Sequence, residues 1–151
     1  GMAEIIHAAN RGEKFTVIFV NNAIYGMTGG QMAPTTMPNQ KTTTSPTGRD
    51  VSLAGYPIRV SELLSSLRTP AYIARGAVNT PMHVVDAKRI IKRAFSYQVE
   101  GRCFSMVEIL STCPTNWGLA PHVATKWVAD NMMPYYPLGV FKTPEDEAGQ
   151  L

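Results

Sequence analysis

Two amides and a pair of glycines follow an uninterrupted apolar segment near the start of the chain. The segment FTVIFV, residues 15–20, continues directly into NNAIYGMTGGQMAPTT, residues 21–36. Amide and backbone carbonyl oxygens suit Mg²⁺, a hard ion that takes six oxygen ligands at about 2.1 Å. Gly29 and Gly30 can turn consecutive N–H groups toward an anion, because glycine reaches positive φ. The stretch is compatible with a magnesium–diphosphate loop, and also with a tight turn in which asparagine side chains bond to their own backbone.

The other residue types that commonly carry chemistry form no motif on their own. Cys103 and Cys113 are too few for a disulfide framework, and Cys103 is expected to be a small buried hydrophobe. The three histidines are far apart and are predicted to have structural or surface roles. Glu108 lies in an apolar run, where it either orients the loop at 113–116 or pairs with Arg102. No serine, histidine and acid set and no glycine-rich P-loop is present.

Helical and extended patterns alternate along the chain. The predicted strands are residues 15–20, 72–78 and 103–110. The predicted helices are Met2 to Arg11 with Gly12 as C-cap, Ser61 (N-cap) to Leu67, Pro81 to about Tyr97 with Thr80 as N-cap, and Pro121 to about Met133. Between them lie a long loop, 21–60, rich in proline, glycine and threonine, and an extended tail, 134–151.

This alternation predicts an α/β fold, a mostly parallel sheet with helices on both faces, in a single domain of residues 1–151. The strand at 15–20 lacks a polar alternation, which predicts a central position with both faces covered. Ligands of such sheets bind beyond the carboxyl ends of the strands. Asn21 follows one strand and the segment 111–118, STCPTNWG, follows another, so we expect the functional site there.

Composition narrows the classes of function. The chain is 44% apolar and 17% charged, as globular proteins are, and it has no apolar run of the roughly 20 residues that a membrane helix needs. The basic residues between 88 and 93 have helical spacing without aromatic residues among them, which indicates a solvated helix face rather than a nucleic-acid site. We therefore expect no nucleic-acid or membrane partner and a reducing, cytoplasmic location. The apolar residues of 132–141 are predicted to face a partner subunit.

The order of several motifs resembles the β subunits of 2-oxoacid:ferredoxin oxidoreductases. These motifs are NN with Tyr25 four positions after the first Asn, TGGQ, PTT, TTTSPTGRD, YIAR and VEILSTCPTNWG. The NN and CPTNW forms are more similar to enzymes for 2-oxoglutarate or branched-chain 2-oxoacids (ketoisovalerate) than to those for pyruvate. The resemblance implies a thiamine diphosphate-binding fold and oxidative decarboxylation of a 2-oxoacid to acyl-CoA, with ferredoxin, coenzyme A and other subunits of the complex as partners.

The resemblance also implies roles for individual residues. The side chain of Asn22 and the backbone carbonyl of Ile24 would bind Mg²⁺, whereas Asn21 would stabilise the turn. Cys113 resembles the fourth ligand of a [4Fe-4S] cluster, in the intact subunit only. The residues that would line thiamine diphosphate are Tyr25, Gly26, Met27, Thr28 and Gly29.

One part of the family's pattern has no counterpart. Its Gly-Asp-Gly triplet, whose aspartate is a further metal ligand, is missing, and every aspartate of the chain lies downstream of the strand at 15–20 and its NN end. The chain is therefore expected to be the C-terminal part of such a subunit, with an incomplete metal site and no activity alone. Two alternatives are a non-catalytic interaction or regulatory module that keeps the fold without cofactor, and a thiamine-dependent decarboxylase that does not use ferredoxin.

Overall fold

The structure, a computed structural model, describes residues 1–145. Residues 146–151, the end of the predicted tail, lie outside the described residues. The chain forms two compact units. Unit 1 comprises Gly1–Phe19, Val60–Ile109 and the described residues from Leu138 on, and unit 2 comprises Val20–Arg59 and Leu110–Pro137. That the whole chain acts as one domain stays a prediction.

Helices and strands alternate as expected over most of the chain. The strands are β1 (Thr16–Asn21), β2 (Ala71–Ala77), β3 (Phe104–Leu110) and β4 (Gly139–Lys142). The helices are α1 (Met2–Arg11), α2 (Val51–Ala54), α3 (Val60–Ser65), α4 (Pro81–Val99), α5 (Pro114–Trp117), α6 (Pro121–Trp127) and α7 (Met133–Tyr135), with a π-helical segment at Val128–Met132. No helix among residues 1–145 is both long and apolar enough to cross a membrane.

The four strands form one mostly parallel sheet in the order β1-β3-β2-β4, in which β4 runs antiparallel to β2. The prediction that 15–20 is a central strand is wrong, because β1 lies at one edge and Val20 is 57% exposed. An apolar run indicates that polar residues are absent from the strand. It does not indicate whether the strand has a neighbour on one side or on both. Within the predicted extended tail, Gly139–Lys142 forms a fourth strand that pairs with the free edge of β2, which the sequence analysis did not predict.

Unit 1 has a core on each face of its sheet, which confirms the predicted α/β fold with helices on both faces. Successive residues of β2 and β3 point to opposite faces, as the strand period of two requires. On one face, Ile73 and Phe104 pack with α1 and α3. On the other, Tyr72 and Val107 pack with the apolar stripe of α4.

The caps of α1 and α4 explain where these helices end and begin, and both were predicted correctly. Gly12 follows α1 at φ 71°, and its N–H donates to the carbonyls of Ala8 and Ala9. The Thr80 hydroxyl accepts from the N–H of His83 at 3.2 Å and leaves one fewer unpaired donor in the first turn of α4.

The predicted cap of α3 is wrong, because a buried ion pair takes the side chain. Ser61 lies inside α3, and its hydroxyl donates to Glu108 Oε2 at 2.6 Å. The same carboxylate accepts from Arg75 Nε at 2.8 Å, and the Arg75 guanidinium also binds Glu62. Both predicted roles of Glu108 are therefore wrong. The pairing crosses from β3 to β2, so local sequence carries no sign of it.

The last helical region of unit 2 continues beyond the predicted end at Met133. Pro134 has no N–H to donate one turn back, and the preceding residues widen into the π-helical segment. Met132 and Tyr136 are fully buried, and the Tyr136 hydroxyl donates to the Thr35 carbonyl at 3.0 Å. These two residues therefore correct the prediction that the apolar residues of 132–141 face a partner.

Candidate functional site

The turn after β1 is held by side chains that bond to its backbone. Asn21 is buried, and its Oδ1 accepts from the N–H of Ala23 at 3.1 Å, which is the turn-stabilising role expected for it. The Thr36 hydroxyl donates to the Ala23 carbonyl at 2.7 Å. Ala23 has φ 56°, a conformation that costs a non-glycine residue about 1–2 kcal/mol. The two hydrogen bonds hold the chain in this strained turn.

Asn22 and Ile24 flank the strained residue and keep unused oxygen atoms. Ile24 is 4% exposed, and Asn22 is half-buried. No hydrogen bond among residues 1–145 ends on the Asn22 amide or on the Ile24 carbonyl. Neutral oxygen atoms of this type fit Mg²⁺. The metal-binding roles of both residues stay predictions.

Residues 25–31 form a loop closed by its own hydrogen bonds. The N–H of Tyr25 donates to the Gln31 carbonyl at 3.0 Å, and the Thr28 hydroxyl donates to Gln31 Oε1 at 2.7 Å. The N–H of Gly30 donates to the Tyr25 carbonyl at 2.8 Å. Of the two glycine N–H groups that could turn toward an anion, that of Gly30 is therefore used in closing the loop.

Several side chains of this loop are exposed to solvent. Tyr25 is half exposed and Met27 is fully exposed. Gly29 has φ 116°, which favours glycine at this position. The five residues predicted to line the cofactor are thus contiguous in one closed loop, and their binding role stays a prediction.

The segment after β3 approaches this loop closely at Gly26. The N–H of Ser111 donates to the Asn21 carbonyl at 2.9 Å, so the ends of β1 and β3 lie side by side. A Cβ at Gly26 would lie 2.8 Å from Cys113 Sγ, closer than a real Cβ contact allows. Gly26 therefore permits the thiol to approach the loop. The Cys113 thiol is free and half-buried.

Asn116 joins the two segments, and the sequence interpretation assigned it no role. Its Nδ2 donates to the Gly26 carbonyl at 2.9 Å and to Cys113 Sγ at 3.2 Å. A Cβ at Gly30 would lie 2.9 Å from Asn116 Oδ1. The available signal was its position three residues after Cys113 in a turn opened by proline, which places both side chains on one side of α5.

Arg49 is a second residue whose role was missed. It is buried, and among residues 1–145 its guanidinium donates only to backbone carbonyls of the surrounding loop. The accepting residues are Ala33, Pro34, Thr36, Ala54, Gly55 and Tyr56. One side chain therefore fixes residues 33–56, which explains how a proline- and glycine-rich loop is ordered.

The described carboxylates of unit 2 do not complete a metal site. Asp50 caps α2, and hydrogen bonds from Ser52 lower the pKa of its carboxyl group. Asp130 pairs with Lys126. Among residues 1–145, no group of three or more histidine, cysteine or acidic side chains could hold a metal ion. The ligand set that these residues offer to a metal is therefore neutral.

Comparison with known proteins identifies the family. Residues 1–109 match the model described as thiamine pyrophosphate enzyme, C-terminal TPP binding domain. The chain belongs to this family. The match includes β1, the turn at Asn22 and the closed loop, and it ends before Cys113.

Two relatives confirm the resemblance to 2-oxoacid:ferredoxin oxidoreductase subunits. The chain is 45% identical, over all 151 residues, to the ketoisovalerate oxidoreductase subunit VorA of Methanothermobacter thermautotrophicus. It is 34% identical over 131 residues, 87% of this chain, to the 2-oxoglutarate synthase subunit KorB of Archaeoglobus fulgidus. The chain spans 32% of the VorA relative and 45% of the KorB relative.

A solved structure confirms the fold. The 2-oxoglutarate:ferredoxin oxidoreductase from Magnetococcus marinus, with 2-oxoglutarate, coenzyme A and succinyl-CoA bound, matches with a TM-score of 0.68 and 21% sequence identity. The match covers 93% of this chain and 51% of that chain. The α/β architecture of thiamine diphosphate enzymes is therefore present in the described chain.

Proposed function

We propose that this chain supplies the diphosphate-binding part of a 2-oxoacid:ferredoxin oxidoreductase subunit. The complete enzyme converts a 2-oxoacid, either branched-chain or 2-oxoglutarate, to acyl-CoA and passes electrons to ferredoxin. The observation that carries the proposal is the 45% identity to a ketoisovalerate oxidoreductase subunit along all 151 residues. This extent includes both the loop after β1 and the STCPTNWG segment.

The turn at Ala23 supports a metal-binding role for its neighbours. Asn22 offers an amide oxygen and Ile24 a backbone carbonyl, and neither has a hydrogen-bond partner within residues 1–145. Both would bind Mg²⁺ together with diphosphate oxygens, and the remaining ligands would come from outside these residues. Because the two ligands are neutral, they offset little of the cost of dehydrating Mg²⁺, and we expect weak metal affinity without the diphosphate.

The closed loop at 25–31 supports the binding of the cofactor itself. Tyr25, Gly26, Met27, Thr28 and Gly29 would line thiamine diphosphate, which when bound supplies the carbanion chemistry that cleaves the bond beside the 2-oxo group. The hydrogen bonds between Thr28 and Gln31 hold the loop in shape, so little order has to be gained on binding. The residues of this chain position the cofactor and are assigned no acid or base role.

Cys113 is the residue that we propose as a ligand of an iron–sulfur cluster. Its free thiol is half-buried beside Gly26, and the Asn116 amide donates to the sulfur. Hydrogen bonds to a cluster sulfur or to its thiolate ligand tune the reduction potential. A [4Fe-4S] cluster needs four ligands. Cys113 would therefore supply one ligand in a longer protein, with the others from outside this chain.

The substrate and electron acceptor can be tested on the complex that contains this chain and its partner subunits. We expect reduction of methyl viologen, a dye that replaces ferredoxin, to require both a 2-oxoacid and coenzyme A. Ketoisovalerate and 2-oxoglutarate are compared at equal concentration to assign the substrate. A reducing, cytoplasmic location stays a prediction that accords with the two free thiols.

Two outcomes would contradict the proposal. Release of CO₂ without dye reduction, from a complex that contains no iron, would indicate a thiamine-dependent decarboxylase that does not use ferredoxin. A complex that neither binds thiamine diphosphate nor consumes any 2-oxoacid would indicate a non-catalytic interaction module.

A pair of variants tests the role of the turn. Asn22→Ala is expected to lose activity, whereas Lys41→Gln, at an exposed position of the same unit, keeps it.

A further inference from the structure

Unit 1 contains a groove beside α4 that the proposed function does not use. Its volume is about 390 Å³, and it is lined by α4 residues, by Tyr72 of β2 and by Val140 of the edge strand β4. This volume falls within the range of about 300–1,000 Å³ that is usual for small-molecule sites. The groove is therefore large enough for a small organic ligand.

Three of the five polar side chains that line the groove are cationic, and the other two, Tyr72 and Ser96, are uncharged. Arg89, Lys92 and Arg93 line it. Arg89 is paired with Asp86 at 3.0 Å, but neither Lys92 nor Arg93 has a carboxylate partner within residues 1–145. The Arg93 guanidinium lies 4.6 Å from the centre of the Tyr97 ring, a contact that restrains it. At least two positive charges are available to a ligand.

Tyr72 adds an uncharged hydrogen-bond donor to the lining of the groove. It lines the groove while only 3% of its surface is exposed, and its hydroxyl has no hydrogen-bond partner in the described part of the chain. Burial raises the pKa of this hydroxyl, and the smaller effects of Arg93 and Arg89 oppose the shift. Tyr72 therefore remains a neutral donor at neutral pH, and its hydroxyl oxygen, which is not among the fully buried side-chain atoms without a partner, stays available to donate to a ligand.

We infer that this groove binds a phosphate monoester with an apolar organic group. The groove offers three different donors, a hydroxyl, an ammonium and a guanidinium group, from Tyr72, Lys92 and Arg93. A phosphate monoester has three terminal oxygen atoms that can accept from them, whereas a carboxylate has two. Ile90 and Val140, which also line the groove, provide apolar surface for the organic group. The inference uses unit 1 only and does not depend on thiamine diphosphate.

The test is a calorimetric titration of the full 151-residue chain with phenyl phosphate, compared with inorganic phosphate. We expect saturable binding of phenyl phosphate at roughly millimolar concentration or below, and inorganic phosphate to bind several-fold more weakly because it covers no apolar surface. Tyr72→Phe and Lys92→Gln should each weaken phenyl phosphate binding about tenfold or more. Lys88→Gln is the matched control, since Lys88 is exposed on the same helix and does not line the groove.

Three results would overturn the inference. If Lys88→Gln weakens binding as much as Lys92→Gln, the attraction is a general effect of positive charge. If phenyl phosphate and inorganic phosphate bind equally, no organic group is recognised. If phenyl phosphate fails to saturate while an acidic peptide such as polyglutamate binds, the groove serves a protein partner. Circular dichroism checks the fold of Tyr72→Phe, and should that variant unfold, the Lys92 and Lys88 pair alone decides.

Discussion

The candidate site depends on residues that have little or no side chain where another segment approaches. Gly26 admits the Cys113 thiol, and Gly30 admits the Asn116 amide. The sequence interpretation included Gly26 through its resemblance to a known motif, but the reason for glycine there is this packing. Asn116 was missed because its partners, the Gly26 carbonyl and the Cys113 sulfur, become neighbours only after folding.

Gly26→Ala is predicted to lower the free energy of unfolding and to weaken cofactor binding. The new Cβ would lie 2.8 Å from Cys113 Sγ, so the loop or the thiol must move, and overpacking of this kind costs about 1–3 kcal/mol. Urea unfolding measures the loss. The double variant with Cys113→Ala removes the clashing sulfur and should unfold at a higher urea concentration than Gly26→Ala alone. Equal or lower stability of the double variant would contradict the packing described here.

The two thiols are predicted to differ in reactivity. Cys103 is buried, and desolvation raises the pKa of its thiol, so less of the reactive thiolate is present near neutral pH. Cys113 is half-buried and reachable. Brief alkylation of the native chain with iodoacetamide at about pH 8, followed by peptide mass spectrometry, should label Cys113 first. Preferential labelling of Cys103 would contradict the burial of this thiol immediately before β3.

At the scale of elements, a buried cation adds to the few buried apolar residues of the long loop 21–60 in ordering it. Arg49 donates to the carbonyls of six residues between 33 and 56, and within residues 1–145 no acidic side chain pairs with it. The sequence predicted a long loop over 21–60 from its proline, glycine and threonine content, but it did not predict the short helix α2 (Val51–Ala54) within that range. It could not predict the order, because a surface-type residue such as arginine gives no sign that it will be buried.

Arg49→Met is predicted to destabilise unit 2 by at least about 3 kcal/mol, because the substitution leaves several buried carbonyls without a donor. Arg49→Lys offers three N–H donors and should recover part of the loss. Hydrogen exchange should accelerate over residues 33–56 in both variants. Lys41→Met is the control, since Lys41 is exposed and its replacement should change stability by less than about 0.5 kcal/mol. Unchanged exchange in Arg49→Met would show that the loop is ordered by other contacts.

The strands illustrate which elements a sequence can and cannot predict. β2 and β3 are mostly apolar runs, and α4 has an apolar stripe and a clear N-cap. The type and approximate bounds of these three elements were therefore predicted. β1 was predicted as a strand, but its place at the sheet edge is a property of strand order. β4 has only four residues, and its pairing partner, Ala71–Ala77, is distant along the chain. Order and pairing of strands are tertiary properties that local periodicity does not contain.

At the scale of the whole molecule, family membership and local geometry support the same interpretation. The model of the thiamine pyrophosphate-binding domain covers residues 1–109, and the described residues of unit 2 provide a closed loop beside two unused neutral oxygens. The described residues of unit 2 provide no carboxylate that is free of other partners, since Asp50 and Asp130 are both engaged. The central claim is that Asn22 and Ile24 form the neutral part of a magnesium–diphosphate site.

Calorimetric titration of the 151-residue chain with thiamine diphosphate, with and without Mg²⁺, tests this claim most directly. The account predicts saturable binding that requires Mg²⁺ and that Asn22→Ala weakens about tenfold or more, because an oxygen ligand is lost. Lys41→Gln should leave the affinity unchanged. Absence of binding up to roughly 10 mM cofactor, or equal affinity of the wild-type chain and Asn22→Ala, would contradict it.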